Sequence, residues 1–172
     1  MRKFFFPTLL ICAMISCSDG ELQIETIDFD SVTAESCNPP QADSENLLFK
    51  LNEDEALILE LESGILNKGT LDETVTSTSA VPSKSKLTYR FFSEKVTSNY
   101  FCDDVPPATP TVVNEIKAES GTVTIETKAD ADKKNYIHTI RLSDISFVRD
   151  NGERITNLTI SEFGEVTTAI PN

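Results

Sequence analysis

An antiparallel all-β sandwich is the fold this sequence predicts, and three observations predict it. Apolar and polar residues alternate with period two through most of the chain, the repeat that sends successive side chains to opposite faces of a strand. Turn-forming clusters recur at short intervals, as at Asn52-Glu53-Asp54-Glu55, Ala129–Lys134 and Asp150-Asn151-Gly152-Glu153, which is the punctuation of short antiparallel strands. Two cysteines, Cys37 and Cys102, each stand before a proline-containing turn. The expectation is about eight to ten strands in an immunoglobulin-like or similar β-sandwich, closed by one disulfide.

The elements follow in order. Leu22, Ile24 and Thr26 alternate with Gln23, Glu25 and Ile27 and predict a first strand. Asn46–Leu51 and Ala56–Leu61 are apolar runs joined by the acidic turn, and they read as a hairpin. Propensity alone would also allow a short helix over Glu53–Leu61. The sets Leu57, Leu59, Leu61 and Ile58, Glu60, Glu62 separate at period two, which favours a strand. Residues 64–86 are rich in Ser, Thr and Gly and predict a loop or a weak edge strand.

Leu87–Phe92 is a strand with Leu87, Tyr89 and Phe91 on one face, and Asn99–Cys102 reads as a further short extended piece. Pro106–Pro110 is a connector, because each proline fixes φ and biases its predecessor toward extended geometry. Thr111–Lys117 and Thr122–Lys128 flank Ser120-Gly121, which reads as a hairpin turn. Tyr136, His138, Ile140 and Leu142 share a face. The phase then slips at Ser143-Asp144 before Ile145 and Phe147 resume it, and a slip inside a strand implies a bulge. Asn151-Gly152 supplies the positive φ angles of a tight turn. Arg154–Ile160 and Gly164–Ile170 complete the set.

The N-terminus has a different logic. Arg2 and Lys3 precede Phe4–Ile15, twelve mostly apolar residues, then Ser16 and Cys17. That run is too short to span a bilayer, which takes roughly 20 apolar residues, and it has the proportions of a secretory leader. Its end resembles the bacterial lipobox, with Met14 where leucine is more usual. Residues 1–16 are therefore expected to be a lipoprotein signal peptide, Cys17 the lipidated residue, 17–21 a short acidic tether, and 22–172 one β-sandwich domain. Acyl chains at about 0.8 kcal/mol per buried methylene would hold the domain durably on the membrane. Ser18-Asp19-Gly20-Glu21 looks like the acidic export signal of Bacteroidota lipoproteins. The implied location is the outer membrane, facing the extracellular medium. The four residues between Cys17 and the first expected strand reach only about 14 Å, so the domain would sit against the membrane.

This leader also sorts the four cysteines. Cys12 leaves with it and Cys17 is acylated, so Cys37 and Cys102 remain as a pair in an oxidising compartment. No Cys-x-x-Cys spacing or nearby histidine makes them a redox or metal pair. The chain carries a net charge of −13, with 28 acidic residues against 15 basic ones. Arg2 and Lys3 belong to the leader, so the mature part is more acidic still. No basic stripe exists, which excludes nucleic acid as a partner class.

Chemistry is sparse. His138 is the single histidine, placed mid-strand between Tyr136 and Ile140 on its face, where a hydrogen-bonded structural role is the ordinary one. No nucleophile motif or phosphate-cradling loop is present. No catalytic residue, cofactor or metal is expected. With no tryptophan and three tyrosines, a sugar-stacking platform is poorly supplied. Phe91, Phe92, Tyr100 and Phe101 read as core. The acidic turns Asp103-Asp104, Asp130-x-Asp132 and Asp150-Asn151-x-Glu153 show no spacing that would bring six to eight oxygens onto calcium. Asp30-Ser31-Val32 resembles the three-residue O-glycosylation site of exported Bacteroidota proteins, with Ser31 as the acceptor. Asn157-Leu158-Thr159 fits the N-glycan pattern, but a bacterial leader places it outside that pathway.

Taken together, Cys17 with Ser18-Asp19-Gly20, Ile27-Asp28-Phe29-Asp30, Asn99-Tyr100-Phe101-Cys102 ahead of Pro106-Pro107, and Tyr136-x-His138-Thr139-Ile140 are similar to a group of uncharacterised flavobacterial (Bacteroidota) outer-membrane lipoproteins. The resemblance implies no activity. It implies the compartment, the paired cysteines and structural roles for Tyr136 and His138. The function expected from all this is a surface-exposed, lipid-anchored binding or adaptor domain with an outer-membrane protein as partner. The alternatives are a carbohydrate- or cation-binding module for nutrient uptake and a carboxylate-based hydrolase, for which no carboxylate pair is distinguished by sequence and which burial of Asp103 or Asp144 in a cleft would support.

Overall fold

The computed structural model describes residues 27–149, 151, 152, 154, 155 and 162–171. The expected leader, Cys17, the expected tether, the first expected strand up to Thr26, Asp150, Glu153, residues 156–161 and Asn172 lie outside them. Ile27, at the end of that first strand, is fully buried in the core.

The antiparallel β architecture is present. Its strands are β1 (Asn46–Asn52), β2 (Glu55–Leu61), β3 (Val75–Val81), β4 (Lys86–Phe92), β5 (Val112–Ala129), β6 (Asn135–Val148), β7 (Arg154–Ile155) and β8 (Glu162–Ala169), with one helical turn, α1 (Asn99–Cys102). The order β1-β2-β4-β5-β6-β7 forms a single curled sheet, with β3 added on β5 and β8 on β6. Its two ends face each other as layers. Leu48, Leu57, Leu59, Leu87, Tyr89 and Ile116 from one layer meet Val123, Ile125, Ile140, Leu142, Phe147 and Phe163 from the other in one core. Tyr89 and Phe147 touch across it, with ring centroids 6.1 Å apart.

β5 belongs to both layers. Its first part, through Lys117, pairs with β4, and Gly121–Thr127 pairs with β3. From Ala118 onward it also pairs with β6. β3 and β4 run in the same direction and are joined by four residues, so they lie end to end along one edge of β5. At that joint Lys84 and Ser85 both donate their N–H to Ala80 O, at 3.0 and 3.2 Å.

Ser120-Gly121 does not make the expected hairpin; β5 runs straight through it. What glycine supplies there is a bulge. The β5–β6 register shifts on both sides of Ser120. Gly121 takes φ +140°, and a Cβ on it would come 2.3 Å from Ile145 Cδ1. Opposite, Asp144 adopts φ +55°, at the phase slip the sequence announces. Bulges bend strands and sharpen twist, and this one turns β5 from one layer into the other.

The turn at Asn52–Glu55 closes the β1–β2 hairpin, with Glu53 at φ +51°. Residues 64–86 resolve into a loop followed by β3, an edge strand. Gly152 closes the later turn, donating its N–H to Arg149 O at 2.8 Å.

Asn99–Cys102 is the second departure: it is helical, not extended. Four residues carry too little pattern to distinguish period two from 3.6; packing decides. Tyr100 and Phe101 lie on the outer face of the first layer, against Phe49, Ala56, Ile58, Phe92 and Val96. Phe101 stacks on Phe49 at 4.6 Å and Tyr100 meets Phe92 edge-on at 4.8 Å. β1 and β2 are therefore covered on both faces, which is why they read as apolar runs.

The disulfide fastens this cover. Cys37 and Cys102 are bonded, with Cα atoms 5.1 Å apart and 65 residues of separation. Two residues before Cys37, Glu35 exchanges backbone hydrogen bonds with Phe49 on the outer edge of β1, at 2.8 and 2.9 Å. One covalent link thus ties α1 to the segment that occupies the β1 edge. On the chain-entropy account, closing a loop of this length contributes about 4 kcal/mol. The double variant Cys37→Ser/Cys102→Ser should lose about that much in a urea titration, and the same loss should appear when the unaltered protein is unfolded in reductant.

Candidate functional site

The bend in β5 opens a cleft. Past the Ala118–Phe147 pair, β5 leads into one layer while β6 leads away to pair with β7 through Phe147 and Val148. Between the diverging strands is a groove of about 820 Å³, lined by Phe91, Asn114, Glu115, Ile116, Lys117, Glu119, Val148, Arg149 and Asn151. One edge of Val112–Lys117 is taken by β4. Among the described residues no strand pairs with the other edge, which faces this cleft. An unpaired strand edge offers alternating N–H and C=O groups, a template for another strand.

Phe91, Ile116 and Val148 give the cleft its apolar lining; Val112 and Val113, at the start of β5, are exposed by 41% and 64%. The charged lining balances: Glu115 and Glu119 against Lys117 and Arg149. Arg90 donates to Glu115 Oε2 through Nε at 2.8 Å and Nη2 at 2.5 Å, and Lys117 Nζ stands 3.4 Å from the other oxygen. Burial pushes the Glu115 pKa up, but the bonds and charges of Arg90 and then Lys117 outweigh it and hold the carboxyl below its ordinary value. Among the described residues the lining is neutral, in a strongly acidic chain. Such a cleft suits an extended peptide better than an ionic small molecule.

The residues singled out from sequence fall elsewhere. Cys37 and Cys102 are brought together and stand exposed. Cys17 lies outside the described residues. Ser31 is exposed in a turn where Val32 donates its N–H to Phe29 O at 3.0 Å. Asp103 and Asp144 are exposed on a loop and on the β6 bulge, not enclosed in a cleft. Asp130 organises its own turn, accepting from Lys134 N at 2.8 Å and Asn135 Nδ2 at 3.0 Å. Among the described residues no three His, Cys, Asp or Glu side chains converge as metal ligands.

His138 is fully buried on the inner face of β6. Thr127 Oγ1 lies 2.8 Å from Nδ1 and Thr168 Oγ1 2.8 Å from Nε2, so β5, β6 and β8 are joined by a threonine–histidine–threonine ladder. Hydroxyls both donate and accept, so a neutral imidazole is satisfied at both nitrogens. Next to it, the Tyr136 ring covers Gly69 so closely that a Cβ there would come within 2.4 Å, which pins the loop after β2 over the end of the core.

Sequence reading missed two features. One is the cleft: Val112-Val113, adjacent apolar residues after a proline, were its only local signal. The other is Lys50, which is 2% exposed and donates through Nζ to Phe29 O at 2.9 Å, with Glu162 O at 3.5 Å. Burial pushes its pKa down, against the opposing charges of Asp30 and Glu162. No family model, curated protein or solved structure matches this chain.

Burial holds the His138 pKa at about 4, from 6.5 in an open chain. Above pH 6.5 the ring is neutral both folded and unfolded, and its titration adds nothing. Below that, only the unfolded chain takes the proton, so stability falls by about 1.4 kcal/mol per pH unit down to pH 4, about 3 kcal/mol in all. Urea midpoints from pH 7 to 4 should drop more steeply for the unaltered protein than for His138→Gln, which lacks this term.

Proposed function

We propose that this chain is a surface-exposed, lipid-anchored binding or adaptor domain, held on the outer membrane through Cys17, that captures an extended segment of an outer-membrane protein in the β5–β6 cleft. The observation that carries this reading is the open Val112–Lys117 edge beside an apolar, charge-balanced groove. Strand addition draws its affinity from main-chain hydrogen bonds and its selectivity from the pockets beside them. Phe91, Ile116 and Val148 provide the pockets, and Lys117 and Arg149 against Glu115 and Glu119 set the register.

The anchor supports the same reading from the other side. A tether of four residues confines the domain to the membrane surface, where a membrane protein is always within reach and its effective concentration is high. The flavobacterial lipoprotein resemblance and the acidic residues after Cys17 favour the outward face. Ser31, exposed in its turn, is accessible to a glycosyltransferase in that compartment.

Two measurements test the two halves. Cys17→Ser should move the protein from the membrane pellet to the soluble fraction and abolish incorporation of labelled palmitate; retention in the pellet would contradict the anchor. A photocrosslinking residue at Val113 should capture an outer-membrane protein in living cells, whereas the same residue at Glu165, on the far layer, should not. Equal yields from both positions would remove the cleft from the function.

A further inference from the structure

β3 is an edge strand of a different kind. It pairs with β5 alone, and among the described residues nothing pairs with its other side. Two other edges, those of β1 and β8, carry devices by which proteins discourage strand-to-strand association. The outer edge of β1 is occupied by Glu35 through two backbone hydrogen bonds. β8 carries Glu162 and Glu165, its register breaks near Gly164, and Ala34 packs where a Gly164 Cβ would lie. Val75-Thr76-Ser77-Thr78-Ser79-Ala80-Val81 has no charge, no proline and no bulge.

We propose that two copies of this chain associate through β3, edge to edge and antiparallel, so that the second layer continues from one molecule into the other. The occupant is argued from charge. Most of the surface of this −13 chain repels a second copy, but β3 is neutral and its two ends differ in sign. Asp72 and Glu73 precede it; Lys84 and Lys86 follow it. Antiparallel pairing sets the acidic end of each copy beside the basic end of the other, twice. These groups are exposed, and Asp72, Lys84 and Lys86 already hold partners within the chain, Lys133 at 2.9 Å, Glu62 at 3.4 Å and Glu60 at 3.1 Å, so a second copy extends existing ion pairs into a network. A parallel arrangement would set acid against acid.

The side chains agree with this pairing. With Thr78 at the two-fold axis, Thr78 faces Thr78, Ser77 faces Ser79, Thr76 faces Ala80 and Val75 faces Val81. All are small, and cross-strand threonine pairs are favourable. The strip offers no pocket that would select a foreign side chain, so its specificity lies in self-complementarity. The contact is one strand wide, which places it among weak, reversible associations, strengthened where anchored copies share a membrane.

Cysteine crosslinking in the membrane tests this on the full chain. Thr78→Cys, exposed at the axis, should give a disulfide-linked species of twice the chain mass under mild oxidation. Thr124→Cys, the β5 partner of Thr78 on the same face, should give none beyond the unaltered chain. Thr78→Lys, which sets two like charges together on an exposed position, should abolish co-purification of two differently tagged copies. Equal crosslinking at Thr78 and Thr124, no crosslinked dimer at Thr78, or tagged copies unaffected by Thr78→Lys would each overturn the proposal. Dimers formed by Val113→Cys but not Thr78→Cys would assign self-association to the cleft and overturn it equally.

Discussion

The constraint on which the rest depends is the bend in β5. A strand of 18 residues left straight would make a wide open sheet with one face wet. The contact between Gly121 and Ile145, with Asp144 opposite in a left-handed conformation, turns it from one layer into the other. Glycine is required at 121 because its φ is positive and because Ile145 occupies the space of a Cβ. Once β5 turns, β3 and β4 must lie end to end along it and the two layers must face each other. β5 and β6 must also part company at Ala118, so the cleft is a geometric consequence of closing the core.

The polar groups inside the core sit where segments distant in sequence have to be held in place. Lys50 links β1 to the N-terminal segment at Phe29 and to β8 at Glu162, and its ammonium lies 5.7 Å from the Phe163 ring centroid. His138 links three strands of the second layer through two hydroxyls. Buried polar groups of this kind return little net stability, since their desolvation offsets the bonds they make. Their partners are specific atoms on specific strands. A one-residue slip of β6 would turn His138 outward and leave Thr127 and Thr168 unsatisfied.

How much of this was legible depended on the scale at which each signal acts. Strand positions and most turns were readable because one-sided burial writes period two into the sequence. The slip at Ser143-Asp144 was readable for the same reason, as a break in that period. Ser120-Gly121 was legible as an exception but not as to its kind: a hairpin and a bulge both ask for glycine with positive φ, and only the partner strand distinguishes them. Asn99–Cys102 was illegible because its conformation is set by Phe49 and Phe92, far away in sequence. The disulfide was readable from the cysteine count once a secretory leader is assumed. The cleft was not, since among the described residues it consists of a strand edge without a pairing strand, and no residue type announces that.

Edge strands give the surface its meaning. In an acidic domain, charge is the inexpensive way to keep sheets apart, and 28 carboxylates are available for it. Their distribution is uneven. The segment around Glu35 plugs β1, and the disulfide holds that plug; carboxylates guard β8. β3 stands neutral between an acidic and a basic end, and the open part of β5 stands beside a balanced cleft. Where the β1 and β8 edges are protected, an edge left unguarded over the seven residues of β3 is a position at which pairing is tolerated. One of these edges belongs to the first half of β5 and the other to β3, which pairs with the second half of the same bent strand. Strands added at both would extend both layers from a single structural element, so whatever fixes the β5 bend fixes the relative geometry of the two contacts.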